Sequence, residues 1–205
     1  MKISIIGAGN VGKALATGLS KAEHEIFLGI RDTDNNKLED FLESNKKISV
    51  LSIDKAIEIA EVIIISTPPD AVLELANKLK NVKDKIIIDS TNSVFKKPEP
   101  YKNAFEILKT LTDCEHIVKC FNTTGAENME NPNYGNFQID MFVAGNSVKG
   151  KNIAIELSKD IGFDNCYDVG GDDKVELMES FAMFWINLAI LQKQGRNIAF
   201  KLLKR

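Results

Sequence analysis

The sequence predicts a doubly wound, mostly parallel α/β sheet with a C-terminal helical extension, on three observations. Short uninterrupted apolar runs such as "KISIIG", "EVIIIS" and "KIIIDS" suit strands buried on both faces. Segments with apolar residues at helical spacing alternate with these runs for most of the chain. A glycine-rich turn joins the first run to the first such segment. The 205 residues suffice for one sizeable domain with a real core.

The run at 2–7 is a β-branched strand. Residues 11–21, "VGKALATGLSK", place Val11, Ala14, Leu15, Gly18 and Leu19 on one helical face. "EIFLGI" (25–30) is a second strand. A polar helix is expected around 36–44, a short strand at 48–50 and a short helix at 53–60. "EVIIIST" (61–67) is a buried strand, "DAVLELANKLK" (70–80) an amphipathic helix and "KIIIDST" (85–91) another buried strand. A helix near 104–111 precedes the strand "HIVKC" (116–120), which runs into the loop "FNTTGAENMENPNYGNFQ". "DMFVAG" (140–145), a helix near 147–161 and "NCYDV" (165–169) make one more βα step. From about 172 the pattern is helical to the end. Crossovers between parallel strands should be right-handed.

Gly7, Gly9 and Gly12 spell G-x-G-x-x-G directly after a strand and at the opening of a helix. In that setting the motif binds a dinucleotide. Gly7 permits the tight turn, Gly9 lets a pyrophosphate approach the backbone, and Gly12 lets helix and strand pack closely. The pyrophosphate meets free N–H groups at the helix N-terminus. The fold is therefore expected to be of Rossmann type, with residues 1–170 as the NAD(P)-binding domain and 171–205 as a helical extension packed on it or swapped between copies.

The second strand should end at the adenine ribose. There an acid selects NAD, whereas an arginine takes the 2′-phosphate of NADP. The chain offers both, Arg31 and Asp32, after Ile30. Adjacent residues on an extended strand point opposite ways, so one of the two is expected to face the ribose. Asp32 lies twenty residues after Gly12, which favours it by distance alone. Arg31 is the residue chosen here, with Lys37 or Asn35 as helpers. A charge-assisted contact to phosphate contributes about 1.5–3 kcal/mol, or roughly ten- to a hundred-fold in coenzyme preference.

In an open α/β sheet, ligands bind outside the carboxyl ends of the strands. Ser66, Thr67, Pro68 and Pro69 end one strand, and Asp89, Ser90, Thr91 and Asn92 the next. Lys119, Cys120, Phe121, Asn122, Thr123 and Thr124 stand at the end of the third, so together these residues can wall a cleft. His24 and His116 fall at the amino end of the sheet, opposite that cleft. No histidine general base of the alcohol-dehydrogenase kind is then at hand. Hydride exchange with a flavin-like ring fits that absence, because placement supplies most of the catalysis.

Other classes are excluded. A net charge of −3 and a pI near 5.5 argue against a nucleic-acid partner. Cys114, Cys120 and Cys166 have no CxxC spacing and read as reduced thiols, with no metal site. No G-x-S-x-G or H-E-x-x-H appears. The longest apolar stretch, 181–191, is too short to span a bilayer, and the N-terminus begins a strand with no signal peptide, so a cytoplasmic protein is expected.

Taken together, "GAGNVGKALATGLSKAEHEIFLGIRD", "ISTPPDAV", "IIDSTNSV" and "VKCFNTTGAENMENPNYG" resemble the NADPH:coenzyme F420 oxidoreductase family, which the cytoplasmic domains of the STEAP metalloreductases share. The resemblance covers the whole chain. It implies that Ala8, Gly9, Asn10, Val11 and Gly12 bind the pyrophosphate and that Arg31 holds the 2′-phosphate. Thr67 and Pro68 would line the dinucleotide path, and Asn92 would lie near the nicotinamide. Phe121, Asn122, Thr123, Thr124 and Gly125 would border the nicotinamide and a second ring. Two positions depart from the family's pattern. Ile30 stands where it commonly has serine, and Lys37 follows Arg31 by six residues instead of about four.

The expected activity is NADP(H)-dependent hydride transfer to or from a small redox acceptor, either coenzyme F420 or a flavin, with ferric reduction downstream. A pyrroline-carboxylate or imine-type reductase is the alternative enzyme; it ranks lower because such enzymes carry a long helical dimerisation region, and only about thirty residues remain here. A redox sensor that binds NADP(H) is the non-catalytic alternative. Phe181, Phe184, Trp185, Leu188 and Leu191 share a helical spacing that suits either packing on the sheet or a homodimer.

Overall fold

The computed structural model describes residues 1–33 and 38–205. The helix expected from 36 is described only as α2 (Glu39–Ser44). Lys37 and Asn35 lie outside the described residues.

Among the described residues one eight-stranded sheet forms the core, in the order β3 (Ile48–Ser52), β2 (Glu25–Ile30), β1 (Lys2–Ile6), β4 (Val62–Ile65), β5 (Ile86–Asp89), β6 (His116–Cys120), β9 (Met141–Ala144), β10 (Cys166–Gly170). The first six are parallel. Their order reverses between β1 and β4, so the crevice that binds ligands in such sheets opens there.

Alternation along the strands fills two layers. Ile3, Ile5, Val62, Ile64 and Ile88 pack against α1 (Asn10–Lys21), α6 (Ala126–Glu130) and α7 (Val148–Ile161). Ile6, Ile63, Ile65 and Ile87 face α3 (Ile53–Ile59), α4 (Val72–Ala76) and α5 (Ala104–Leu111). This is the doubly wound α/β arrangement that the sequence predicts.

Four details differ from the expectation. First, β9 runs antiparallel to β6, while β10 is parallel to β9. The only helix described in the connection after β6 is the five-residue α6, and the chain enters β9 from the carboxyl edge of β6. Second, the loop after β6 also contains a small hairpin, β7 (Asn133–Tyr134) with β8 (Phe137–Gln138), turned at Gly135 with φ +70°. Third, the helix expected at 70–80 is a 3₁₀ turn, Pro69–Ala71, followed by the short α4.

Fourth, helix does not continue to the chain end. After α8 (Val175–Ile186), a π-helical turn spans Asn187–Leu191. Lys193 (φ +58°) and Gly195 (φ +86°) then break it, and the Gly195 N–H donates to Ala189 O at 3.1 Å. The last residues fold back without regular secondary structure. Ile198 O accepts from Trp185 Nε1 at 2.6 Å and from Asn128 Nδ2 at 2.7 Å, and the Leu202 N–H donates to Asp140 Oδ2 at 2.7 Å. No described helix is long and apolar enough to cross a membrane.

Candidate active site: a dinucleotide cleft at the sheet's switch point

Gly7 leaves β1 at φ +110° and its N–H donates to Gly29 O at 3.1 Å. A Cβ on Gly7 would stand 2.4 Å from Ser66 O, and one on Gly12 2.1 Å from Gly7 O. Both positions therefore exclude a side chain, and α1 can start hard against the carboxyl ends of β1 and β4. Gly9 is different, because a Cβ there would meet nothing within 4 Å. It caps α1 with no side-chain hydrogen bond, and the first turn carries no acid. The N–H groups of Asn10, Val11 and Gly12 are thus left for an external acceptor, at the positive end of the helix.

A cavity of about 530 Å³ opens at this point. It is lined by Gly7, Ala8 and Gly9 of the turn, by Ile30 and Arg31 after β2, and by Thr67 and Pro68 after β4. Ile53, Ala71 and Leu75 give it an apolar wall. Thr67 Oγ1 is buried without a hydrogen-bond partner. An uncapped helix start, an open approach at Gly9 and an orphaned hydroxyl in one cleft fit a dinucleotide pyrophosphate.

Arg31 and Asp32 both line this cavity. Both residues of the pair thus reach the same rim. β2 ends at Ile30, so strand alternation no longer governs the next two side chains. Arg31 is exposed at the rim and has no ion pair among the described residues. Lys13, Glu74 and Lys78 also line the cleft, and the sequence reading did not single them out. Lys13 had a legible signal, standing one residue after the third motif glycine. Glu74 and Lys78 had none, because α4 and the turn after it reach the cleft only through the fold.

The other predicted residues lie off this cavity. Asn92 Nδ2 donates to Asn122 O at 2.8 Å, and Asn122 Nδ2 returns a bond to Asn92 Oδ1 at 3.0 Å. The pair ties the loop after β5 to the loop after β6. Asn122 Oδ1 and Thr91 Oγ1 are buried without partners. Phe121 is fully buried in the core and does not wall a cleft; its φ of +60° turns the chain sharply off β6. Thr123 is buried, its hydroxyl 3.6 Å from the Met141 sulfur. Thr124 Oγ1 accepts from Asn128 Nδ2 at 2.7 Å. Gly125 starts α6, with Trp185 where a Cβ would go, 2.6 Å away.

Asp89 and Lys119, read from the sequence as cleft walls, are instead fully buried beneath it. Lys119 Nζ lies 2.9 Å from Asp89 Oδ2 and 2.8 Å from Glu179 Oε1 of α8. Burial opposes the ammonium charge, but the two carboxylates outweigh it and hold Lys119 above its ordinary pKa. The sequence could not join Glu179 to this group, sixty residues from its partner. His24 and His116 sit at the amino edge, on Asp160 (2.9 Å) and Ser147 (3.1 Å) respectively. The three cysteines are free and buried.

The fold and this cleft define a dinucleotide-binding α/β domain of Rossmann type. Residues 2–93 match the family described as NADP oxidoreductase, coenzyme F420-dependent. That segment is a little under half of the chain, and over it the resemblance read from the sequence is borne out. A glycerol-3-phosphate dehydrogenase [NAD(P)+] of Thermoanaerobacter sp. is 34% identical over 132 residues, covering 58% of this chain and 39% of that protein. An F420-dependent NADP reductase of Methanocaldococcus jannaschii is 26% identical over 217 aligned positions, covering 94% of both chains. The chain thus spans about two fifths of the first relative and nearly all of the second. A crystal structure of a candidate F420-dependent NADP-reductase from Arthrobacter sp. FB24 superposes with a TM-score of 0.82 at 24% identity, covering 100% of each chain, and shows the same fold.

Proposed function

We propose that this chain is an NADP(H)-dependent oxidoreductase that exchanges hydride with a flavin-like acceptor, coenzyme F420 or a flavin. The observation that carries the reading is the uncapped start of α1 above an open Gly9, with Arg31 at the rim of the same cavity. When bound, the reduced nicotinamide supplies the hydride and the acceptor ring takes it up. The N–H groups of Asn10, Val11 and Gly12 hold the pyrophosphate, and Arg31 holds the ribose 2′-phosphate. The Asn92–Asn122 pair fixes two loops at the nicotinamide end. Both histidines lie at the far edge of the sheet, so alignment of the two rings and exclusion of water do most of the work. A second copy would cover the exposed apolar side of α8 and the turn after it, at Leu177, Phe184 and Leu191.

The test is binding followed by turnover. The protein is titrated with NADPH and NADH, then offered F420, FMN, FAD and ferric chelates. Tight NADPH binding and oxidation by a flavin-like acceptor are expected. Binding with no oxidation by any acceptor would favour a sensor, and turnover of pyrroline carboxylate would favour an imine-type reductase. Arg31→Ala should weaken NADPH at least about ten-fold and NADH little. Equal loss for both coenzymes would overturn the phosphate assignment.

A further inference from the structure

We infer that Lys13 is a second cation for the ribose 2′-phosphate, closing a clamp with Arg31; this deepens the NADP(H) reading and rests on it. Lys13 stands on the first turn of α1 and lines the same cavity as Arg31 and Asp32. Its ammonium lies 5.4 Å above the ring of Phe41 in α2. No carboxylate pairs with it among the described residues. Lys78, which also lines the cleft, is engaged by Asp54 at 2.9 Å. Among the described residues the cleft therefore carries two cations without ion-pair partners, Lys13 and Arg31.

Position separates Lys13 from the pyrophosphate. The helix N–H groups that take the pyrophosphate belong to the three residues before it. The Lys13 side chain turns instead toward α2, the helix that follows β2, and so toward the ribose end of the crevice. Phe41 keeps it there, half-buried and partly desolvated, by an interaction weaker than a charge-assisted hydrogen bond to phosphate.

Charge balance gives the second argument. A phosphate monoester carries about −1.5 to −2 at neutral pH, so one guanidinium leaves much of it uncompensated. Ile30 on the same rim offers no donor side chain. The Lys13 ammonium supplies a donor and a charge together.

The test compares Lys13→Met, Lys13→Arg and Arg31→Ala with the parent protein, by titration with NADPH, NADH and 2′-phospho-ADP-ribose. Lys13→Met should weaken NADPH and 2′-phospho-ADP-ribose about ten-fold and NADH less than about two-fold, with Lys13→Arg restoring most of the loss. Phe41→Leu, which keeps the charge and removes its perch, should cause a smaller loss of the same kind. Equal weakening of NADPH and NADH by Lys13→Met would place the ammonium at the pyrophosphate and overturn the inference. So would unchanged NADPH affinity in Lys13→Met beside a loss in Arg31→Ala, which leaves the NADP(H) reading standing. A parent protein with no preference for NADPH over NADH would sink both.

Discussion

Gly9 and Gly12 are identical residues three positions apart, yet their environments assign them different duties. A methyl group on Gly12 would collide with a backbone carbonyl at 2.1 Å, whereas one on Gly9 would project into open cleft. Gly12→Ala should therefore destabilise by about 3 kcal/mol, lowering Tm by roughly 6–12 °C in a calorimetric scan. Gly9→Ala should melt within about 2 °C of the parent and bind NADPH at least about ten-fold more weakly, because its methyl occupies the pyrophosphate's approach. A large loss of stability in Gly9→Ala would show that the turn itself needs the glycine. Spacing in the sequence made all three motif glycines legible. Which of them meets protein is decided by the Ser66 carbonyl for Gly7 and by the Gly7 carbonyl for Gly12.

At the scale of elements, the buried group Asp89–Lys119–Glu179 fastens α8 to β5 and β6. Asp89 Oδ1 also accepts from the Thr91 N–H at 2.9 Å, so the same group anchors the loop that carries Asn92. Lys119→Met would leave two carboxylates buried with no cation and should cost about 3–5 kcal/mol, read from chemical denaturation. Replacing all three by Asn, Met and Gln should recover most of that loss. If the single and triple variants are equally unstable, packing at Lys119 matters and the charges do not. A lysine held above its ordinary 10.5 contributes stability that is fully present below that pH and fades only as pH rises through the folded value. The clamp is therefore constant across the neutral range.

For the whole molecule, the fold-back of 192–205 decides what surrounds the single tryptophan. Trp185 lies under Arg196, whose guanidinium is 5.6 Å from the ring centroid and pairs with Glu127. The Arg196 hydrogen bond holds the Glu127 carboxyl below its ordinary 4.5. A lowered carboxyl pKa contributes stability above the unfolded value, and that share is lost as pH falls through the folded one. Trp185 emission should thus stay constant from pH 8 toward the ordinary value of 4.5 and shift to the red below it. Arg196→Ala should show the shifted emission already at pH 7, and an unshifted spectrum would mean that the hydrogen bonds at Ile198 and Leu202 hold the tail without Arg196. Sedimentation should report a dimer that Phe184→Glu converts to monomer; a monomeric parent would leave the apolar side of α8 to another use.

The sequence by itself determined the strands of the main sheet, the glycine turn and the succession of βα units along the chain, because burial periodicity and φ > 0 turns are local properties that each short segment carries. It also determined that the histidines lie away from the cleft, since a βα unit fixes which end of each strand faces the ligand. Only the tertiary structure decided that β9 reverses, that the tail leaves the helix, that Arg31 and Asp32 share one rim with Lys13, and that Glu179 completes a buried ion group with Asp89 and Lys119. Those facts depend on which distant segments meet, and no short stretch of chain records its partner across the fold.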